Sequence, residues 1–448
     1  MSGMREREAG NEAITQEPAL DSRWYPRLVQ FGSFEAFAYL EGEKGYRAEQ
    51  KNLFLAGLSD NPVLDYPKLN TEVLNIKEQG LLSLKQDVLA QEGHETVKQL
   101  YRWKINEKLG EVRMLKAAEK GDMYAFKRYG IFVYGTPSEE VFGYGVSKIR
   151  DEITPLRKSD KHKEEELAER LSTVFRKRYA GELAHPEKEE IKKLKKQTER
   201  EFDPILQGAT EILYNSAEAA QHFRNVLELI GANDWKVEID ENNAGKTSGV
   251  NVKQEDKLIR VPVDRILTQQ KLIALSVHEI GTHVLRRLNG ENSKLKLLGI
   301  GLDRYEKGEE GVAKAREQAL DGEVVQYSFP ERQLAIALAS GLDGTKRDFR
   351  ETFAVMTDYF LLMDRNHEGL GKNGQAKAKD QAYDLCVRVF RGTDCKTEGV
   401  CFLKDKAYTE GNVEIWKTLK KDPKIAKDFS KGKYDPSRHT IFLDQLGI

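Results

Sequence analysis

Cysteine is scarce in this chain. Only three of the 448 residues are cysteine, Cys386, Cys395 and Cys401. They are odd in number, clustered late and without a CxxC pair. That pattern argues against a disulfide framework and against a zinc knuckle, and it points to a reducing, cytoplasmic setting. Long apolar runs are also missing. No stretch approaches the roughly 18 apolar residues of a membrane span, so no membrane association is expected. Residues 1–20 are polar and charged and carry no apolar h-region. They read as a disordered tail rather than a secretory signal. An excess of either charge is lacking too, because 72 basic and 73 acidic side chains leave a formal net charge of −1. No global field then favours nucleic acid or anionic lipid, and neither is an expected partner.

What is present suits a soluble, mainly helical protein of two or three domain-sized units, with 39% hydrophobic and 32% charged residues. After the tail, 21–150 reads as an N-terminal helical region, with Leu81, Leu82, Leu84, Val88 and Leu89 at helical spacing. Residues 151–203 read as a charged helical hairpin, broken at Ala184-His185-Pro186. Residues 204–448 form the expected catalytic region. It opens with a helix over 204–230 and then changes period. Trp235–Asp240 alternates as a half-buried strand does, and Val250-Asn251-Val252 and Leu258–Pro262 read as a hairpin turning at 253–256. Thr268 is placed to cap the next helix, which should stop at Asn289-Gly290. The expected fold is therefore α+β and mainly α-helical. A small antiparallel sheet packs against that helix in the manner of zincin metallopeptidases.

The helix contains Leu275-Ser276-Val277-His278-Glu279-Ile280-Gly281-Thr282-His283-Val284-Leu285. Two imidazoles and a carboxylate among so many apolar side chains are costly to bury without a partner. Neutral imidazoles ligate zinc, and a carboxylate beside the bound water serves as general base. His278 and His283 are the candidate ligands and Glu279 the candidate base. The spacing is i, i+5, whereas the familiar zinc-protease pair is i, i+4. Five helical steps turn through ~500°, which leaves the two side chains ~140° apart on a regular helix. A wide i→i+5 turn between them is therefore required, and such bulges concentrate at functional sites. Gly281 lies between the histidines, where widening is least hindered by a side chain. A catalytic zinc takes three protein ligands. No third histidine is near, so a carboxylate must complete the set, from Asp303, Glu306, Glu309, Glu310 and Glu317; spacing does not choose among them.

Taken together, His278-Glu279-Ile280-Gly281-Thr282-His283, Glu310-Gly311-Val312-Ala313, Arg388-Val389-Phe390-Arg391-Gly392, Lys404-Asp405 and Tyr408 resemble the microtubule-associated tyrosine carboxypeptidase family, whose bacterial relatives carry a Gln-Glu-Gly-Leu-Ala motif. The resemblance covers about 30 to 445. It implies an HExxxH zinc metallopeptidase with one Zn2+ per chain, His278, His283 and Glu310 as ligands, and Glu279 as general base. The sequence departs from the motif at Glu309, where the family has Gln, and at Val312, where it has Leu. Animal members remove a C-terminal tyrosine from tubulin; that substrate is not carried over. The expected activity is removal of a C-terminal, tyrosine-like residue from a protein or peptide. A carboxypeptidase needs a cation for the terminal carboxylate, and Arg388, Arg391 and Lys404 are the candidates, arginine being favoured for bidentate geometry. Tyr408 is the candidate oxyanion donor. The alternatives are a zinc endopeptidase and a non-catalytic helical interaction protein that uses the charged 157–200 segment.

Overall fold

The computed structural model describes residues 19–448 except 32–35, 160, 178, 180–182, 184 and 242–248, and leaves the side chains of 367 and 368 undescribed. Most of the expected tail lies outside these residues. Its end is pinned, since the Leu20 amide donates to the Lys294 carbonyl and Asp21 accepts from the Lys296 and Leu297 amides. No helix among the described residues is long and apolar enough to cross a membrane.

The N-terminal region is helical for local reasons that are visible at the helix ends. Thr71–Gln91 starts at Asn70, whose side chain accepts from the Glu72 and Val73 amides. Glu95–Lys120 stops at Gly121, which takes the left-handed conformation that glycine adopts without steric cost. The apolar faces of these helices bury Leu84, Val88, Leu100, Ile105 and Val112 together with Leu295, Leu297, Leu298 and Leu302. The N-terminal helices thus share a core with the segment that connects the site's two central helices.

Two small sheets precede the histidine-bearing helix. Strands β1 (Leu213–Tyr214), β2 (Lys236–Asp240), β3 (Asn251–Lys253), β4 (Leu258–Pro262) and β5 (Leu267–Thr268) pair as β1-β5 and as β2-β4-β3. The fold is α+β as expected, but the three-stranded sheet is mixed and not antiparallel. β3 and β4 form the expected hairpin, whereas β2 runs parallel to β4, Lys236 against Leu258 and Asp240 against Pro262. The reason lies in burial. β4 is the most apolar strand and takes the centre, so the hairpin occupies one flank and β2 is displaced to the other. The sheet packs its inner residues Val237, Ile259 and Val261 against Phe223, Val226 and Leu227 and against Leu272, Val277, Ile280 and Val284 of the histidine helix.

Three other expectations are corrected. The helix expected over 204–230 is two helices, Lys188–Gln207 and Ser216–Leu229, because Asn215 and Glu218 form a reciprocal capping box that starts a new helix. Ile212 and Leu213 fall between them and are exposed. The charged helices at 151–203 do not form a hairpin. His162–Val174 buries Leu167, Ala168 and Leu171 with Ile149, Ile153 and Met356. Lys188–Gln207 instead buries Ile191 and Leu194 with Val312 and Ala315. Each apolar stripe fits a different core. The histidine helix also continues past Asn289-Gly290 to Glu291. Gly290 serves there as a close-packing residue, since a Cβ on it would meet the Leu298 backbone at 2.2 Å.

Candidate metal centre

The histidine helix has three parts. Gln269–Leu275 is α-helical and is capped by Thr268, which accepts from the Lys271 amide. Ser276–Val284 is a π-helix of nine residues. Leu285–Glu291 returns to α-helix. The wide turn required by the i, i+5 spacing is therefore present, and it extends over the whole motif. It brings the His278 and His283 rings to 5.3 Å between centroids, inclined at 67°. One ligating atom each from His278, Glu279 and His283 lie within 4.8 Å of one another.

Widening a helix strains its own hydrogen bonds, and side chains take up the difference here. The Thr282 hydroxyl donates to the Val277 carbonyl, five residues back, at 3.0 Å. Arg316, 1% exposed, donates through Nη1 to the Gly281 carbonyl at 3.2 Å and to Thr282 Oγ1 at 3.1 Å. Its Nη2 donates to both carboxylate oxygens of Glu201, at 3.0 and 2.9 Å, and to Ser430 Oγ at 2.9 Å. The guanidinium also lies over the Phe202 ring at 4.8 Å. Gly281 is needed because that same ring presses on it: an added Cβ would sit 2.9 Å from Phe202.

The Glu306–Asp321 helix supplies carboxylates to both imidazoles. Glu309 Oε1 is 2.7 Å from His283 Nδ1, and Glu317 Oε2 is 3.3 Å from His278 Nδ1. The His283 contact is a hydrogen bond, whereas Glu317 faces His278 Nδ1 without hydrogen-bond geometry; a carboxylate at Nδ1 fixes a ring and leaves Nε2 available to a metal. Glu310 Oε1 then lies 3.9 Å from His283 Nε2. Of the five carboxylates left open by spacing, Asp303 pairs with His439 at 3.4 Å and Glu306 with Lys404 at 3.1 Å. Glu309, Glu310 and Glu317 face the histidines. Glu309 is buried against Lys433 Nζ at 2.8 Å and Arg286 Nη1 at 3.7 Å.

The charges explain what the site takes. Burial pushes the Glu309 carboxyl up, but Lys433, His283 and Arg286 outweigh it and hold the group at about 2. Burial pushes the His283 imidazole down, but Glu310, Glu309 and Glu279 outweigh it and raise it to about 9. Burial, together with Glu279 and Glu309, pushes Glu310 up against the opposing pull of the two histidines. Three carboxylates around one buried imidazole form a concentration of negative charge that a bound cation neutralises. Two imidazoles and a carboxylate are a donor set that suits zinc.

Tyr408 reaches the same place from the Lys406–Lys421 helix. The two helices cross at a glycine pair. A Cβ on Gly311 would meet the Gly411 carbonyl at 2.3 Å, and one on Gly411 would meet the Lys307 carbonyl at 2.0 Å. Glu310 precedes the first glycine and Tyr408 lies one turn before the second. The nearby Glu310 carboxylate, then burial and Asp405, push the Tyr408 phenol far above its ordinary range, with Lys404 and Arg332 opposing. The phenol therefore keeps its proton at neutral pH.

Of the remaining sequence candidates, Arg388 and Lys404 act on Tyr408. Arg388 Nε donates to Asp405 Oδ2 at 2.8 Å. Lys404 pairs with Glu306, and Arg391 lies over the Phe37 ring at 4.5 Å. Sequence reasoning missed Arg316, Lys433, Arg332 and the imidazole-anchoring role of Glu317. A signal existed only for the last: Glu310 and Glu317 are seven apart and so share one helix face.

A family model described as microtubule-associated tyrosine carboxypeptidase matches residues 187–436, more than half of the chain. No curated protein matches it. The matched span starts at the Lys188–Gln207 helix and includes His278, Glu279, His283, Glu310, Arg388, Arg391, Lys404 and Tyr408.

Proposed function

The chain belongs to the microtubule-associated tyrosine carboxypeptidase family, and from that premise we propose that it is a zinc-dependent carboxypeptidase acting on the C-terminus of a protein or peptide in the cytoplasm. One observation carries the zinc reading: two imidazoles and Glu279 converge within 4.8 Å on a π-helix, and both Nδ1 atoms face carboxylates. His278, His283 and Glu310 would hold the ion. A zinc held there would supply Lewis-acid polarisation of the scissile carbonyl and a more acidic water. Glu279 is the base that takes a proton from the attacking water as its oxygen bonds to the carbonyl carbon, and it returns that proton to the amine nitrogen as the C–N bond breaks and the terminal amino acid leaves. The Tyr408 phenol, kept protonated by its anionic neighbours, donates to the developing oxyanion. A cationic group beside Tyr408 receives the substrate's terminal carboxylate. Tubulin is not assumed as the substrate.

Elemental analysis of the purified chain tests the zinc reading, with about one zinc per chain expected. Incubation with peptides ending in tyrosine, read by release of the free amino acid, tests the activity. Cleavage inside a peptide whose C-terminus is blocked would favour the endopeptidase instead. A metal-free protein that leaves every peptide intact would favour the interaction protein.

A further inference from the structure

Arg332 lies in the first turn of the Pro330–Ser340 helix. Arg332 shares that turn with the acidic Glu331, which it faces without an ion pair. Among the described residues its side chain forms no hydrogen bond or ion pair. It is held by ring faces, with Cζ 3.8 Å from the Phe329 centroid and 4.9 Å from that of Tyr408. The two rings meet edge to face at 5.3 Å. A guanidinium packed on a ring face keeps in-plane N–H groups available, the geometry that takes a carboxylate bidentately.

The platform is built at a cost. Phe329 precedes a proline yet sits at φ 47°, ψ 52°, in the left-handed region. Thr409, the neighbour of Tyr408, holds it there by donating from Oγ1 to the Ser328 carbonyl at 2.6 Å and the Phe329 carbonyl at 3.1 Å. The Phe329 ring is nevertheless 41% exposed. The surrounding charge also favours an anion. Arg332, Arg388 and Arg391 all act on the single carboxylate of Asp405, which is already bonded to Arg388. Arg388 and Lys404 are engaged by acidic partners, so they compete less well for a ligand.

We propose that Arg332 is the residue that receives the substrate's terminal carboxylate, and that the exposed Phe329 beside it packs against the terminal side chain. This inference rests on the carboxypeptidase reading and identifies the part of the site that recognises the free C-terminus.

The test separates the two by measuring binding without turnover. Zinc-loaded Glu279→Gln protein is titrated calorimetrically with a hexapeptide ending in tyrosine, as the free acid and as the amide. The acid should bind more tightly. Adding Arg332→Gln should weaken the acid by about 10- to 100-fold, leave the amide unchanged and leave zinc content and melting temperature unchanged. Arg332→Lys, which keeps charge but loses the flat fork, should fall between. Phe329→Ala should weaken a tyrosine-ending peptide more than an alanine-ending one. An undiminished preference for the acid in Arg332→Gln overturns the inference, and so does failure of the parent protein to bind either peptide. An Arg332-dependent preference in a protein whose wild type cleaves nothing would sink the hydrolytic reading and leave this one standing.

Discussion

Removing either imidazole, by His278→Ala or His283→Ala, is expected to reduce bound zinc to near zero. Glu279→Gln should keep the zinc and lower turnover by roughly 10²- to 10⁴-fold, the usual worth of a positioned general base. Full zinc content in a double histidine variant would refute the ligand assignment. The adjacent pair Glu309 and Glu310 discriminates more finely. Glu310 faces Nε2 of His283 and Glu309 faces Nδ1. Glu310→Gln should therefore weaken zinc retention by more than about 100-fold. Glu309→Gln should cost about tenfold, because an amide oxygen still accepts from Nδ1 and outer-shell changes generally cost 10- to 100-fold. Competition with a chelator ranks the two, and the reverse order would exchange their roles.

The π-helix is an element that its neighbours maintain. Arg316 ties the Gly281 carbonyl to Glu201 on another helix. Arg316→Met removes that tie and leaves the carbonyl and carboxylate without their donor. A loss of about 3–5 kcal/mol is expected from breaking such a buried pair, with zinc affinity falling alongside. Unchanged melting temperature and zinc affinity would show that the wide turn stands on its own. Deleting Thr282 would restore i, i+4 spacing on a regular helix, but it would also rotate everything after it by ~100°. Val284 and Arg286, both fully buried, would leave their places. The deletion is therefore expected to unfold the region rather than to create a standard zinc helix, and circular dichroism distinguishes these outcomes.

At the scale of the whole molecule, the N-terminal helices meet the C-terminal region through buried charge. Glu107 accepts from the Arg304 amide at 2.7 Å, Lys104 pairs with Glu107 at 2.8 Å, and Glu111 pairs with Lys108 at 3.0 Å. Burial, then Glu107 and Glu306, raise Glu111 to about 7 against the pull of Lys108. Its folded value lies above the ordinary carboxylate range of about 4.3. The folded state therefore binds the extra proton, and stability is full below about 4.3 and falls as pH rises toward 7. Glu111→Gln should flatten that fall, so the variant melts higher than wild type at pH 8 and with little difference at pH 4. Equal melting differences at the two pH values would refute the assignment.

Much of the site was legible in the sequence because its chemistry is local. His278, Glu279 and His283 lie within six residues, and the mismatch between five steps and 3.6 residues per turn demanded a wide helix before any coordinates. The mainly helical α+β class followed from the change of period at Trp235. Glu310 came from family likeness alone. What the sequence left open depended on contacts between distant segments. Parallel pairing of β2 with β4 came from competition for the central, most buried position. The separation of Glu309, Glu310 and Glu317 into two groups facing Nδ1 atoms and one facing Nε2 of His283 came from how one helix docks on another. Arg316 and Arg332 look like ordinary charged helix residues until Phe202, Phe329 and Tyr408, far away along the chain, are folded against them. Periodicity reports which face of a helix is apolar; only packing decides which partner that face meets, and therefore which charged side chain is buried as a brace and which is left with its hydrogen-bonding edge open.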